Sequence, residues 1–493
     1  MMVESSMMRF IDGRSSSEIS SSINNGISER HVSRLSNMAL EIFPVIHEEN
    51  TGKLGSAMKS YILQIDGTVD SEFSMIVVVR DAISDFVLHA RRCDSESHES
   101  MKSVLQEVKN KFGVPSGITS DMRAGIISAA SEVFPGVPIR LCLMHFLRDL
   151  GKDLMSRLHT DLGLMINRIG TKSPLKAILK GMPDYNQKTL DEIDNGFCSD
   201  RREMEIMAIR KVLEKLTGFA GSSGYGFPFS LRHYNFYLAC LAAKRKLSRL
   251  SERIKSEKAK GYASMIDKLV SSITDNDSIR DMGRRLGSIN GIFQSLRKAF
   301  SIPKNGNLSQ EMPDDDRIHE KCNLVIDHMK VYLHAGIPDY INSAVKIIID
   351  RYNKRESMLF ANNPEHTIRR TNNGMERFFR KMRRNVRKRT GNTAAGNILA
   401  QSGEHLALFQ NIGNPEYVRI VFGSEDIAKV FARYRKPFRK PGMTVKRKLE
   451  LADKGTEMLM GDSLPDTPFT DEMMEEAYKL RRMEKGSTCL CPP

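Results

Sequence analysis

The stretch Tyr61-Ile-Leu-Gln-Ile-Asp-Gly-Thr68 is an apolar run that ends in an acid followed by a glycine. Two more runs rich in β-branched residues, 74–79 and 85–90, follow at short spacing. Short apolar runs separated by turn residues are typical of neighbouring β-strands. The three runs therefore predict antiparallel strands at the start of a sheet, with Asp66 at the end of the first strand.

Helical and strand patterns alternate from there to about residue 149. Apolar residues are spaced for helices over 98–112 and 122–134. Between these helices, residues 117–121 form a short strand pattern that ends in a second acid, Asp121. Residues 138–145 read as a fifth strand that runs into a helix. The order of three strands, helix, strand, helix, strand predicts an α/β fold with a mixed five-stranded sheet.

The pattern becomes entirely helical between about residue 149 and residue 365. Apolar spacing with a period of 3.6 predicts helices over 201–216, 231–254, 279–300 and 323–352. Breaks rich in glycine, proline or polar residues fall at 218–229 and 301–316. We interpret residues 151–365 as an α-helical insertion that splits the α/β domain.

Residues 369–389 hold ten Lys and Arg side chains against one acid, Glu376. Apolar residues recur there at helical spacing, and Glu376 lies on the flank of that apolar stripe. The same flank carries Arg380, Arg383 and Arg387. One carboxylate in a row of arginines fits an acid that holds a metal ion beside bound DNA. The alternatives are a solvated basic face and a capping box in which Asn373 is the N-cap.

Four motifs in this order resemble the core of a DDE transposase, in the branch that includes Mutator-like and related prokaryotic insertion-sequence elements. Two of them, Ile-Asp-Gly-Thr (65–68) and Thr-Ser-Asp (119–121), resemble the strands of the first and second acids. Leu-Cys-Leu-Met-His-Phe (141–146) resembles the Cys-x-x-His motif of that branch, and 371–376 resembles the start of the third-acid helix. The resemblance covers roughly residues 55–150 and 365–415, with the helical insertion where family members often carry one.

The resemblance implies a ribonuclease-H-like core made of residues 55–150 and 366–415, split by the insertion at 151–365. Residues 416–493 would form a basic C-terminal extension. The implied activity is cleavage of the ends of a mobile DNA element and their joining to target DNA. Two alternatives remain: a non-catalytic helix-turn-helix DNA-binding protein derived from a transposase, and a metal-dependent nuclease of the same fold.

In this family Asp66, Asp121 and Glu376 would hold two Mg²⁺ or Mn²⁺ ions. Two such ions ~3.5–4 Å apart stabilise both the attacking and the leaving oxygen of a phosphodiester. Carboxylates gathered this closely repel one another, so their pKa values should be raised in the metal-free protein. Two other acids, Asp81 and Glu404, are rival candidates that we expect in a loop or on a helix surface.

Cys142 and His145 form the Cys-x-x-His pair. Two ligands without a second pair at finger spacing do not predict a structural zinc site. The resemblance implies that His145 lies near the active site, where it contacts the scissile phosphate or supports an acid. The alternative is a buried thiol and a hydrogen-bonded histidine at a strand–helix junction.

The N-terminal 45 residues have the pattern of a helix-turn-helix. Ser15-Ser-Ser-Glu18 is a capping box, residues 24–26 form a turn, and Ser28 can cap a second helix. Its outward side chains would contact phosphates and base edges: Arg30, His31 and Arg34. The alternative is an ordinary helical hairpin packed on the core. Residues 44–60 are predicted to be a linker.

The composition agrees with a nucleic-acid partner. A formal net charge of +15 and a pI near 9.4 favour a polyanion. We expect double-stranded DNA, as element ends and as target, bound by a homodimer or higher oligomer. No apolar stretch approaches ~18 residues and no signal peptide is apparent, so we expect no membrane association. An odd number of cysteines, seven, indicates a reducing compartment.

The expected location is therefore cytoplasmic, on the nucleoid of a prokaryotic host. Near the C-terminus, residues 433–448 carry eight Lys and Arg side chains. This segment would either follow a phosphate backbone or form a disordered basic tail. Residues 470–484 are predicted to form a last helix.

Overall fold

The computed structural model describes residues 1–23, 26–69, 75–218, 226–302, 314–333, 336–363, 367–391, 396–435 and 451–456. Asn24 and Asn25 of the predicted turn, most of the basic segment 433–448 and the helix predicted over 470–484 lie outside these residues. The chain divides into two units, Met1–Phe431 and Ala432–Pro493. The first unit contains every element that positions the site.

One five-stranded mixed sheet forms, in the order β3-β2-β1-β4-β5. Its strands are β1 (Ile62–Val69), β2 (Met75–Asp81), β3 (Val87–Cys93), β4 (Gly117–Ser120) and β5 (Ile139–Leu141). The first three strands pair antiparallel, and β4 and β5 run parallel to β1. Helices α5 (His98–Phe112) and α6 (Ala124–Val133) supply the crossovers that parallel pairing requires. The predicted mixed α/β sheet is confirmed.

Helices near both ends of the chain pack together, and one of them covers β2 and β3. They are α1 (Met2–Phe10), α2 (Ser16–Ser22), α3 (Glu29–Glu49), α4 (Thr51–Met58) and α18 (Gly396–Phe409). Helix α18 lies against both strands, and α1, α2 and α3 pack on one another, with α3 in contact with α18. The ring of Phe43 lies 5.2 Å from that of Phe409 and 6.0 Å from that of Tyr417. This aromatic cluster joins the N-terminal helices to the C-terminal ones.

The predicted starts of the N-terminal helices are confirmed. Ser15 and Glu18 form both halves of the capping box, and Ser28 accepts a hydrogen bond from the backbone of His31. The linker predicted over 44–60 is wrong, because α3 continues through Pro44 and α4 follows it. A proline removes one backbone donor, and burial of Phe43 and Ile46 on either side keeps the helix continuous.

A helical body follows β5. Its helices are α7 (Leu143–Ile169), α8 (Lys172–Gly181), α9 (Gln187–Asp194), α10 (Arg201–Thr217), α11 (Arg232–Ser251), α12 (Glu257–Thr274), α13 (Asp277–Ala299), α14 (Asp315–Tyr332), α15 (Asp339–Asn353) and α16 (Glu356–Leu359). All of these helices except α9 contribute to one apolar core that extends from Leu141 to Leu359. The helices predicted near 201–216, 231–254 and 279–300 are confirmed. The single helix predicted over 323–352 is wrong: Gly336 has a φ of +66° and Pro338 is the N-cap of α15, so the chain turns there.

The chain then returns to the sheet. Helix α17 (Asn373–Thr390) packs against β1, and α19 (Pro415–Phe422) and α20 (Ile427–Tyr434) follow α18 and a short 3₁₀ turn. Residues 406–409 of α18 and Phe431 are buried in the core. None of the helices described here is long and apolar enough to span a membrane.

Candidate active site

Strand pairing places the first two acids side by side. Gln64 of β1 lies opposite Thr119 of β4, so two residues further along Asp66 and Asp121 face each other across strands that are ~4.8 Å apart. Asp121 follows β4 directly, as predicted. Asp66 pairs with Val78 inside β1, so the prediction that it ends the strand is wrong.

The third acid lies in the same cleft. Glu376 is in the first turn of α17, and it lines one open cleft together with Asp66 and Asp121. The cleft is strongly basic. Its cationic side chains are Arg123, Arg148, Lys152, Arg380, Arg383, Arg384 and Arg387. The tertiary structure thus brings together three acids that are far apart in the sequence and surrounds them with arginines.

The two strand acids are hard to ionise. Asp66 is 9% exposed, and burial, together with the charges of Asp121 and Glu376, raises its pKa to about 7. Burial also raises the pKa of Asp121 to about 6, and the charge of Asp149 adds to this shift. Both shifts have the direction expected of carboxyl groups gathered in one low-dielectric cleft.

Arginines offset the repulsion among these acids. Arg148 Nη2 donates a hydrogen bond of 2.9 Å to Glu376 Oε1. The backbone N–H of Arg123 donates to Asp121 Oδ1 at 3.1 Å, and its Nε lies 3.2 Å from Oδ2. The capping-box alternative for Glu376 is wrong, because the N-cap of α17 is Asn372 and no side chain caps the helix.

His145 and Cys142 have different roles. His145 lines the cleft, with Nε2 3.6 Å from Glu376 Oε1, and burial together with the charge of Arg148 lowers its pKa. Cys142 is the fully buried N-cap of α7, and burial raises the pKa of its thiol to about 11. Its Sγ accepts a hydrogen bond of 3.1 Å from the backbone N–H of Asn372. Cys142 therefore joins β5 to the segment before α17, whereas His145 belongs to the cleft.

Among the residues that contact the three acids, Asn372, Arg148 and Arg123 were not predicted from the sequence. Asn372 is fully buried and its Nδ2 donates to Asp66 Oδ2 at 3.2 Å, so it orients the first acid. Arg148, which contacts Glu376, lies three residues after His145 on α7. An i, i+3 pair shares a helix face, so the predicted position of His145 in the site could have indicated Arg148 as well. For Asn372 the only signal is its place in the motif that precedes Glu376.

A buried ion cluster holds the third-acid segment in place. Arg140 of β5 is fully buried and forms two hydrogen bonds of 2.7 Å to Asp315, the first residue of α14. Arg370 Nε lies 2.6 Å from the same carboxylate, and Arg140 also donates to the carbonyl of Ile368. Burial would raise the pKa of Asp315, but hydrogen bonds and charge from both arginines lower it overall. The helical body thus contacts the segment that leads to Glu376.

The rival acids lie elsewhere. Asp81 was expected in a loop or on a helix surface, but it is the buried last residue of β2. Its carboxylate accepts hydrogen bonds from the backbone N–H groups of Ile62, Ile83 and Ser84. It therefore stabilises the turn after β2. Glu404 on α18 accepts a hydrogen bond of 3.0 Å from the backbone of Arg92. Neither residue lines the cleft.

The residues predicted to bind DNA form two separate groups. Arg380, Arg383 and Arg387 line the cleft with Glu376, and Arg383 also donates to the hydroxyl of Thr68. The other group is on α3: Arg30 and Arg34 are exposed, His31 is half-buried, and Arg34 Nη2 lies 3.2 Å from His31 Nδ1. The α3 residues do not line the cleft.

The donor set of the cleft suits a hard divalent cation. Asp66, Asp121 and Glu376 offer carboxylate oxygens, which Mg²⁺ and Mn²⁺ prefer over nitrogen or sulfur. Within the described ranges, no three His, Cys, Asp or Glu side chains are grouped closely enough to share an ion. Glu376 is paired with Arg148 and Asp121 with Arg123. The three acids therefore suit a divalent cation by the type of their donor atoms rather than by their spacing in this structure.

Comparison with known proteins adds little to these observations. No protein-family model and no curated protein matches the chain. Solved structures do match, among them a chain of the Drosophila P element transposase strand transfer complex. That chain is 13% identical with a TM-score of 0.32, and the match covers 82% of this chain and 92% of that one. A likeness at this level does not establish a function, which rests on the cleft residues.

Proposed function

We propose that the protein is a DDE transposase that cleaves the ends of a mobile DNA element and joins them to target DNA. The observation that carries this proposal is the convergence of Asp66, Asp121 and Glu376 in one arginine-lined cleft. The strand order β3-β2-β1-β4-β5, with a helical body before the third acid, supports a ribonuclease-H-like core. The four motifs that resemble the transposase family contain Asp66, Asp121, His145 and Glu376, which all line this cleft.

The three acids would hold two Mg²⁺ or Mn²⁺ ions. When bound, such ions polarise the attacking and leaving oxygens of a phosphodiester during in-line displacement. Asn372 keeps the Asp66 carboxylate oriented through its 3.2 Å hydrogen bond. Arg123 and Arg148 neutralise Asp121 and Glu376 while no cation is present. Burial and the charge of Arg148 lower the pKa of His145, which favours the neutral ring. A neutral imidazole can donate one hydrogen bond to a phosphate oxygen without adding charge.

The arginines of α17 would hold the DNA backbone. Arg380, Arg384 and Arg387 are exposed and line the cleft. From Arg380 to Arg387 the helix rises by about 10 Å, which corresponds to roughly three base-pair steps of DNA. Contacts to phosphates position DNA without reading its sequence. Arg30, His31 and Arg34 on α3 are proposed as a second DNA contact, which would read the element ends within a homodimer or higher oligomer.

The test uses DNA that contains the sequences flanking the gene, with Mg²⁺ or Mn²⁺. The wild-type protein should cleave the element ends and join them to a second duplex. Asp66→Asn should lower cleavage by at least ~10³-fold and still bind DNA, because it removes a charged ligand of the cations. The matched control is Asp161→Asn at an exposed position of α7, which should retain full activity.

The products separate the candidate functions. Cleavage without joining would identify a metal-dependent nuclease. A wild-type protein that binds its ends but is inert with both metals would be a non-catalytic DNA-binding protein. Full cleavage by Asp66→Asn would remove Asp66 from the site. Loss of folding in that variant would make Asp66 structural.

A further inference from the structure

A second basic pocket lies in the helical body, where α8, the end of α10 and the start of α11 meet. Its floor is formed by the buried apolar side chains of Leu175, Leu216 and Phe236. Its polar residues are Lys172, Lys176, Thr217, Arg232 and His233. The cavity has a volume of about 120 Å³. About 10–15 Å³ on this measure holds one water, so a small oxyanion has ample room.

The cations of this pocket face one another without a carboxylate. The described residues that line it include no Asp or Glu. Lys172 Nζ lies 5.2 Å above the ring of Phe236 and donates to the amide oxygen of Asn167. Burial and the charges of Arg232 and Lys176 lower the pKa of Lys172. An anion placed among these cations would remove their mutual repulsion.

Cations nearby in the helical body are neutralised in a different way. Arg210 pairs with Asp184 and Glu214, and Lys244 lies 2.5 Å from Asp275. The pocket is therefore a place where the protein gathers positive charge and leaves it without a carboxylate from its own described lining.

The start of α11 adds to the positive potential. Its N-cap is Leu231, whose side chain cannot accept a hydrogen bond from the first turn. The N-terminus of a helix carries a partial positive charge, which favours a bound anion. In α11 the backbone N–H of His233 already donates to His159 Nε2 at 3.1 Å, so this end of the helix contributes its dipole and its side chains. In the 20-residue helix α11, this end carries Arg232 and His233, both of which line the pocket.

We propose that this pocket binds a phosphate group. Arg232 can donate two parallel hydrogen bonds to phosphate oxygens, and Lys172 and Lys176 supply point charges. The phosphate belongs either to a free phosphate compound or to the backbone of bound DNA, and the chemistry of recognition is the same. No described residue lines both this pocket and the active-site cleft, so the pocket does not depend on the function proposed for that cleft.

The first test measures thermal unfolding of the full chain in sodium phosphate and in sodium chloride of equal ionic strength. The pocket variant is Lys176→Gln with Arg232→Gln. The control is Lys211→Gln with Lys215→Gln, which removes the same charge from exposed positions of α10. In chloride the pocket variant should be at least as stable as the wild type, because two repelling cations are gone. The affinity of the pocket variant for phosphate should be at least tenfold lower than that of the wild type, as calculated from the rise in melting temperature that phosphate causes in each protein.

The control variant should keep the wild-type response to phosphate, including any contribution of the cleft arginines. Equal phosphate responses in the pocket variant, the control and the wild type would overturn the proposal and leave a solvated basic surface. A pocket variant less stable than the wild type in chloride would show that these cations are structural, which also contradicts the proposal.

The second test identifies the source of the phosphate. Binding of duplex DNA is measured at increasing salt for the same three proteins. If backbone phosphates enter the pocket, the slope of log affinity against log salt should fall by up to about 1.8 in the pocket variant only, at about 0.9 per contact. An unchanged slope together with a lost phosphate response assigns the pocket to a free phosphate compound. Asp66→Asn should retain the phosphate response, which separates this proposal from that of the cleft.

Discussion

Replacement of Asp66 with Asn should stabilise the cation-free protein while it abolishes cleavage. The two side chains are nearly isosteric, and the amide oxygen of Asn can still accept the hydrogen bond from Asn372 Nδ2. The substitution removes a negative charge from a site that is 9% exposed and that already holds Asp121 and Glu376. A charge that is needed to bind cations therefore weakens the fold when cations are absent.

The magnitude follows from the pKa of Asp66. Burial and the neighbouring acids raise that pKa from 3.8 to about 7 in the folded protein. One pKa unit corresponds to 1.36 kcal/mol, so keeping Asp66 ionised costs roughly 4 kcal/mol above pH 7. The amide N–H groups of Asn also need partners, so we expect a net gain on the order of 2–4 kcal/mol.

The sign of the pH dependence is determined by the raised pKa. The folded protein binds the Asp66 proton more tightly than the unfolded chain, so the cost is fully present above about pH 7. The cost disappears as the pH falls through the folded pKa towards the unfolded value of 3.8. The advantage of Asp66→Asn should therefore be large at about pH 8 and much smaller at about pH 5.

Urea denaturation followed by circular dichroism in a chelator measures both variants at both pH values. Asp81→Asn is the matched control in the same sheet. Its carboxylate accepts backbone hydrogen bonds from Ile62 and Ser84, so this variant should be destabilised at both pH values. Addition of Mg²⁺ should stabilise the wild type but not Asp66→Asn. An Asp66→Asn variant that is less stable than the wild type at about pH 8 would refute the reasoning, and so would a difference that does not change with pH.

Three further predictions test the surroundings of the site. Replacement of Arg380, Arg384 and Arg387 with Gln should lower the slope of log DNA affinity against log salt by up to about 2.7. The control replaces the exposed Lys258, Lys260 and Lys268 of α12 with Gln and should keep the wild-type slope. Equal slopes in the two variants would show that the arginines face solvent. Asp315→Asn leaves the buried Arg140 without its carboxylate, so denaturation should show a loss of about 3–5 kcal/mol, and a loss below about 1 kcal/mol would show that the cluster is not important for folding. Burial lowers the pKa of His47 from 6.5 to about 4. As the pH decreases from about 6.5 to about 4, the unfolded chain binds this proton before the folded protein does, so the free energy of unfolding should decrease over that range. In His47→Gln this fall should be smaller by up to roughly 3 kcal/mol, and an unchanged pH profile would contradict the assignment.

Local sequence patterns determined the elements of this fold. Strand and helix spacing is set by neighbouring residues, so the sheet with its crossover helices and the basic helix around Glu376 could be predicted from the chain alone. The capping box at Ser15 was predicted for the same reason, because its bonds join residues three apart. The errors also have local causes. Pro44 was interpreted as a break although burial on both sides maintains α3, and residues 323–352 were interpreted as one helix across Gly336 and Pro338.

Only the tertiary structure decided which side chains meet. The motif resemblance selected Asp66, Asp121 and Glu376, but the hydrogen bond of Asn372 to Asp66 and the pairing of Arg148 with Glu376 depend on how α17 and α7 lie against the sheet. The contact of Arg140 with Asp315 joins β5 to a helix far along the chain. Periodicity describes which face of an element is buried and does not specify the partner on the other side. Burial and charge at the site arise from those long-range contacts, so the pKa values of the acids are properties of the fold.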